Sequence, residues 1–196
     1  MKYLALLTTL FCVSSVQAEE EAKWWFDTAE YWQEWDARES ETCEQELDKD
    51  DFLAIVEWRQ DLYKSNYELL TTTLSDLIEL DEQLRVASQE HKDIVISILA
   101  EQITQDLLPP MMNHLSDELT RLGNNPPELE VFPTPELARQ RCHEIFHAAK
   151  HETQSVQALV RIELEQIEPE MIGYHNAVFR AKLRVKFEAS QAPTPQ

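Results

Sequence analysis

His143, Glu144, Ile145, Phe146 and His147 form an H-E-x-x-H segment. Two imidazoles four residues apart on a helix share a face, about 6 Å apart along the axis, and can hold one zinc ion. The glutamate between them can then take a proton from a metal-bound water, which makes Glu144 the candidate general base of a hydrolytic reaction. A catalytic zinc needs a third protein ligand. Glu163, Glu165 and Glu168 lie at suitable distances downstream, provided that the chain bends back after Glu152. His151 follows His147 with no glycine to turn the chain, and on a continuous helix it lies about 12 Å from His143.

Over these five residues the chain resembles the zincin metallopeptidases. The resemblance implies a bound zinc, His143 and His147 as ligands and Glu144 as base. Ile145 and Phe146 are uncharged, as that motif prefers, whereas Arg141 stands where the family avoids charge. Zincins also use a sheet edge to hold substrate, for which only Glu128–Phe132 and the C-terminal segment are available.

A second metal reading needs no catalysis. If the segments Pro110–Leu122 and Pro135–His151 form an antiparallel hairpin with a short connection, His114 stands level with His143, and Met111 or Pro110 comes near His147. His114, His143 and His147 would then converge, with Glu144 or Met111 as a further donor. Imidazole with methionine favours copper, and imidazole with carboxylate favours zinc, nickel or cobalt. Periplasmic heavy-metal sensors, helical hairpins with His pairs four apart, offer an analogy, although the motif order differs. The plainer alternative is a solvated or partner-facing stripe, because His143, His147 and His151 fall roughly opposite Cys142, Ile145 and Ala149 on the helix.

Composition narrows the remaining classes. The 196 residues hold 37 acidic and 17 basic side chains, for a net charge of −20. Such a charge disfavours nucleic acid and anionic membranes, where affinity comes from neutralising phosphates. Gly123 and Gly173 are the only glycines, too few for a dinucleotide fingerprint or a phosphate-binding loop. Serines are scattered without a motif, so no nucleophilic triad can be assembled.

Residues 1–18 read as a secretory signal peptide, with Lys2 at the start, an apolar run from Leu4 to Val13 and a cleavage site at Val16-Gln17-Ala18. The expected mature chain, Glu19–Gln196, is exported: periplasmic in a Gram-negative source, secreted otherwise. It has no second apolar run long enough to span a bilayer. Removing the signal removes Cys12 and leaves Cys43 and Cys142, an even pair that should form one disulfide in an oxidising compartment. Whatever surrounds Cys43 is then held against whatever surrounds Cys142.

The elements that must position these residues read as helices. Phe52, Val56, Tyr63, Tyr67, Leu70, Leu74, Leu77 and Leu84 recur at steps of three and four with gaps at Arg59 and Asp81, which predicts a long helix from Asp50 to about Val86. A second helix should run from about Ser88 to Leu108 with Ile94, Ile98 and Ile103 inward, interrupted by Pro109-Pro110. A third, from Pro110 to Leu122, carries Met112, Leu115, Leu119 and Leu122 and stops at Gly123. After a loop over 124–133, Thr134-Pro135 starts a helix whose apolar positions include Ala138, Cys142, Ile145, Ala149, Val156, Leu159 and Ile167, with Glu163 breaking the series. It should end or kink at Pro169.

The last segment is ambiguous. Across 178–188, Phe179, Ala181, Leu183, Val185 and Phe187 alternate with Arg180, Lys182, Arg184 and Lys186, a strand-like pattern in residues that mostly favour helix. Residues 191–196 should be a disordered tail.

Together these readings give an all-α, single-domain antiparallel bundle of long helices over 19–190, with a possible short C-terminal strand. Its first part, 19–48, is an acidic aromatic arm in which Trp24, Trp25, Trp32 and Trp35 form a candidate binding surface, or else pin the helix to the body. The expected function is that of an exported binding or adaptor protein, chaperone-like and without catalysis, with an unidentified protein partner and no cofactor. The alternatives are a metal-binding or metal-sensing protein and a zinc hydrolase, with zinc or copper bound.

Overall fold

The computed structural model describes residues 29–90, 93–128 and 130–191, and among these every regular element is helical. The expected signal peptide, Trp24, Trp25 and residues 192–196 lie outside the described residues. The elements are α1 (Ala29–Cys43), α2 (Lys49–Glu90), α3 (Ile94–Gln102), a π-helical turn (Ile103–Leu107), α4 (Leu108–Asn124) and α5 (Pro135–Gln191). The chain is all-α, and no helix among the described residues is long and apolar enough to cross a membrane. It divides into two compact units, one holding the described residues up to Leu62 with Pro127–Glu152, the other Tyr63–Pro126 with the chain from Thr153 onward.

Local chemistry sets the boundaries. Asp48 caps α2 by accepting from the backbone N–H groups of Asp50 and Asp51 at 2.8 and 2.9 Å. Asp93 caps α3 through the Val95 N–H at 3.0 Å. The expected helix over 88–108 is therefore corrected: α2 continues to Glu90 and a separately capped helix begins at Ile94. The new start changes which face is inward. Ile96 and Ala100 are buried beside Ile103, while Ile94 and Ile98 are exposed.

Pro109 and Pro110 do not interrupt the chain either. Neither can donate an N–H, and the chain accommodates them by widening into the π turn, where the N–H of Leu108 donates to the Ile103 carbonyl. The α4 helix then runs to Asn124, and Met111 rather than Met112 joins Leu115 and Leu122 as buried residues.

The α5 helix begins as the Thr134-Pro135 signal predicts, with the N–H groups of Leu137 and Ala138 donating to the Thr134 carbonyl. It extends over 57 residues. Pro169 does not end it. One lost backbone bond is tolerated because Pro169 is exposed, while Ile167 and Met171 on either side are buried. The segment 178–188 is part of this helix, so the strand alternative does not hold.

In the first unit, Cys43, Leu47, Phe52, Ile55 and Val56 pack with Ala138, Cys142, Ile145 and Phe146. The gap at Arg59 in the apolar seam is filled by a buried ion pair, the guanidinium donating to both oxygens of Glu152 at 3.2 and 2.5 Å. In the second unit, Leu70, Leu77 and Leu84 of α2 are buried, as are Val156, Val160 and Ile167 of α5. Asn66 donates to the Thr153 hydroxyl at 3.1 Å.

Candidate functional site

The H-E-x-x-H segment lies on the part of α5 that faces α1. Four links join the two helices: Asp36 with Lys150, Glu39 with His143 and His147, Cys43 with Cys142, and Glu44 with Arg139. Partner numbers fall on α5 as they rise on α1, so this pair runs antiparallel. The expected disulfide is present, with Cα atoms 5.6 Å apart and both cysteines fully buried.

One helical turn before Cys43, Glu39 enters the interface at 7% exposure. Its Oε1 lies 2.7 Å from Nδ1 of His143 and 3.3 Å from Nε2 of His147. A single buried carboxylate oxygen thus serves both imidazoles of the motif. His147 and His151 are exposed, whereas His143 is partly buried.

Glu163, Glu165 and Glu168 lie farther along the same helix, in the second unit. His114, in the second unit, has its own partner. His114 Nδ1 lies 2.8 Å from Oε1 of Glu163, which is buried at 2% exposure. Between α4 and α5, residues 125–128 and 130–134 are non-helical. Among the described residues no group of three or more His, Cys, Asp or Glu side chains is arranged to hold a metal ion.

Glu144 points to different company. Arg141 donates to its Oε2 at 2.6 Å and Gln140 to its Oε1 at 2.9 Å. The Arg141 guanidinium, aided by Gln140, holds this carboxyl below the usual carboxylate range. Arg141 also donates to Glu130 at 2.6 Å, and the two carboxylates together make it hold its proton more firmly than usual. These three side chains border an open surface cleft of about 290 Å³ with Val131, Pro133 and Leu137. A carboxylate engaged this way is a weak proton acceptor, and it is the Glu39 oxygen that the two imidazoles share.

The aromatic arm is described from Ala29 onward, with its rings linked into a ladder. Tyr31 meets Trp32 edge-on at 4.8 Å, Trp32 lies 5.7 Å from Trp35, Trp35 lies 5.6 Å from Trp58, and Trp58 stacks on Phe146 at 4.6 Å. Phe146 is buried, whereas Tyr31 and Trp32 are half-buried at the outer end. Lys150 sits over the Trp32 ring at 5.8 Å, and Arg38 over Trp58 at 5.4 Å. Trp32 and Trp35 thus belong to one cluster, joined by Trp58, which sequence reasoning had passed over.

Glu39 was the other omission. Its signal was available: Glu39 stands four residues before Cys43, and His143 follows Cys142 directly, so the disulfide itself sets the carboxylate against the imidazole.

Compared with known proteins, the chain matches no protein family, no characterised sequence and no solved structure.

Proposed function

We propose that the protein is an exported, non-catalytic binding or adaptor protein that receives a basic, apolar segment of a partner protein on the outer edge of α1. The observation that carries this reading is the ring ladder, rooted at buried Phe146 and ending in half-buried Tyr31 and Trp32. Large rigid rings give contact area at low conformational cost and are favoured anchors of interfaces. Glu30, Glu34 and Asp36 are exposed around them, and the rings already attract Lys150 and Arg38, which suits a cationic partner. The disulfide and the shared Glu39 oxygen hold α1 in place, so little ordering cost falls on binding.

The test compares Tyr31→Ala and Trp32→Ala with Val131→Ala, which alters an exposed apolar residue outside the ring ladder. The reading expects partner affinity to fall by about tenfold or more in the first two only, the scale of an interface anchor. Equal binding by all three variants would overturn it.

A second reading, a divalent-metal site, is favoured by one specific observation: the Glu39 oxygen lies within 2.7 and 3.3 Å of both motif imidazoles. Carboxylate and imidazole donors suit zinc, nickel or cobalt. Glu39, His143 and His147 would have to exchange their hydrogen bonds for coordination. Zinc titration by calorimetry tests it, with heat lost in Glu39→Gln, His143→Ala and His147→Ala; no heat at micromolar zinc removes it. The hydrolase alternative draws no support from Glu144, whose oxygens are taken by Arg141 and Gln140.

A further inference from the structure

Among the described residues, two stripes in the second unit are exposed and of opposite charge. On α5, Ile172, Phe179 and Leu183 recur at steps of seven and four, which sets them on one helix face, and they are 45%, 61% and 50% exposed. Arg180, Lys182 and Lys186 flank them, and no acidic residue occurs from 171 to 186. On α2, Ile78 and Val86 are 53% and 48% exposed, with exposed Glu79 and Glu82 beside them. The nearest base on that stretch, Arg85, is already bonded to Asp81 at 2.7 Å. Both stripes are exposed within one chain, so neither covers the other.

We propose that these stripes pair between two copies of the chain, the basic α5 stripe of one copy seating on the acidic α2 stripe of the other. Ile172, Phe179 and Leu183 would pack over Ile78 and Val86, with Lys182 and Lys186 beside Glu79 and Glu82. A two-fold axis makes the contact twice and closes the pair. Charge selects this arrangement. Pairing two α5 stripes would set bases against bases, a repulsive juxtaposition. An anionic membrane would attract the α5 stripe but would leave Ile78, Val86, Glu79 and Glu82 of α2 unmatched. The contact is separate from the α1 edge and does not depend on it.

Sedimentation equilibrium of the purified exported protein tests the pairing. The proposal expects a dimer weakened at least about tenfold by Phe179→Asp, by the pair Lys182→Glu and Lys186→Glu, and by the pair Glu79→Lys and Glu82→Lys, each removing roughly 1.4 kcal/mol or more. The four charge reversals combined should restore the dimer, which a variant that simply unfolds would not do. Rising salt should weaken the wild-type dimer. A monomer at about 100 µM, a range that detects even weak association, would overturn the proposal. So would a dimer lost in Ile98→Asp but kept in Phe179→Asp. Monomeric protein that binds phosphatidylglycerol vesicles through Lys182 and Lys186 would also overturn it, in favour of a lipid surface.

Discussion

Removing the disulfide should cost more than any other change confined to the α1–α5 pair. The two cysteines are 99 residues apart in sequence, and closing a loop of that size stabilises by about 4–5 kcal/mol on the chain-entropy model. What remains after removal is weak: Asp36–Lys150 and Glu44–Arg139 have half-exposed carboxylates, and such pairs contribute about 0–1 kcal/mol each. The Glu39 carboxylate adds one hydrogen bond with His143, of about 1 kcal/mol. Replacing Cys43 and Cys142 by alanine should therefore lower the unfolding free energy by about 3–5 kcal/mol, allowing for the shortfall usual in practice. With a urea slope of about 2 kcal/mol/M, the midpoint should fall by about 1.5–2.5 M. Urea titration by circular dichroism, on this variant and on wild type with and without reductant, measures it. Reductant should move wild type to the variant's midpoint and leave the variant unchanged. A loss below about 1 kcal/mol, smaller than any disulfide closing so long a loop should give, would refute the reasoning.

Other predictions are independent of the disulfide. Arg59→Met removes the guanidinium that grips both oxygens of Glu152 and should cost about 3–5 kcal/mol, while the double variant Arg59→Met, Glu152→Met should recover most of that loss in urea titration. His114→Ala removes the partner of the nearly inaccessible Glu163, whose other oxygen has no hydrogen-bond partner in the structure; it should cost about 1–3 kcal/mol, with part regained by adding Glu163→Leu. Burial, with repulsion from Glu79, raises the Asp76 carboxyl above its ordinary value. Between the ordinary and the raised value the folded chain binds more protons than the unfolded one, so this group lowers stability as pH rises through that window. Asp76→Asn should therefore stabilise the protein at pH 7 and have no such effect below the ordinary carboxyl range; equal effects at both pH values would contradict the assignment. Pro169→Ala restores a backbone donor within α5 and should stabilise by about 1–3 kcal/mol, read as a higher urea midpoint.

Much of the fold was legible because the apolar seams are long. Phe52, Val56, Leu70, Leu77 and Leu84 mark the inner face of α2, and Ala138, Cys142, Ile145, Ala149 and Val156 that of α5, and all are buried. The gaps in those seams were legible as gaps but not as structure. Arg59 and Glu163 break the apolar pattern and are nonetheless buried, because each meets a partner from another helix. Where the reading failed, a local bond outweighed the pattern. The cap at Asp93 shifts the inward face of α3, so that Ile96 is buried in place of Ile94 and Ile98. Around Pro109 the π turn absorbs the missing donors.

The site was half legible. Spacing set His143 and His147 on one face, and compartment chemistry paired Cys43 with Cys142. The third member, Glu39, lies 104 residues before His143 and becomes a neighbour only through the disulfide. His114 pairs with Glu163, 49 residues away, a partner that residue types alone do not point to.

The account's central claim is that the outer edge of α1 is where a partner docks. Photo-crosslinking from a benzophenone side chain at position 32, in cells that export the protein, measures this most directly. The account predicts one defined adduct, absent when the probe is at position 131 and lost when Cys43 and Cys142 are replaced. No adduct from position 32, or the same adducts from both positions, would contradict it.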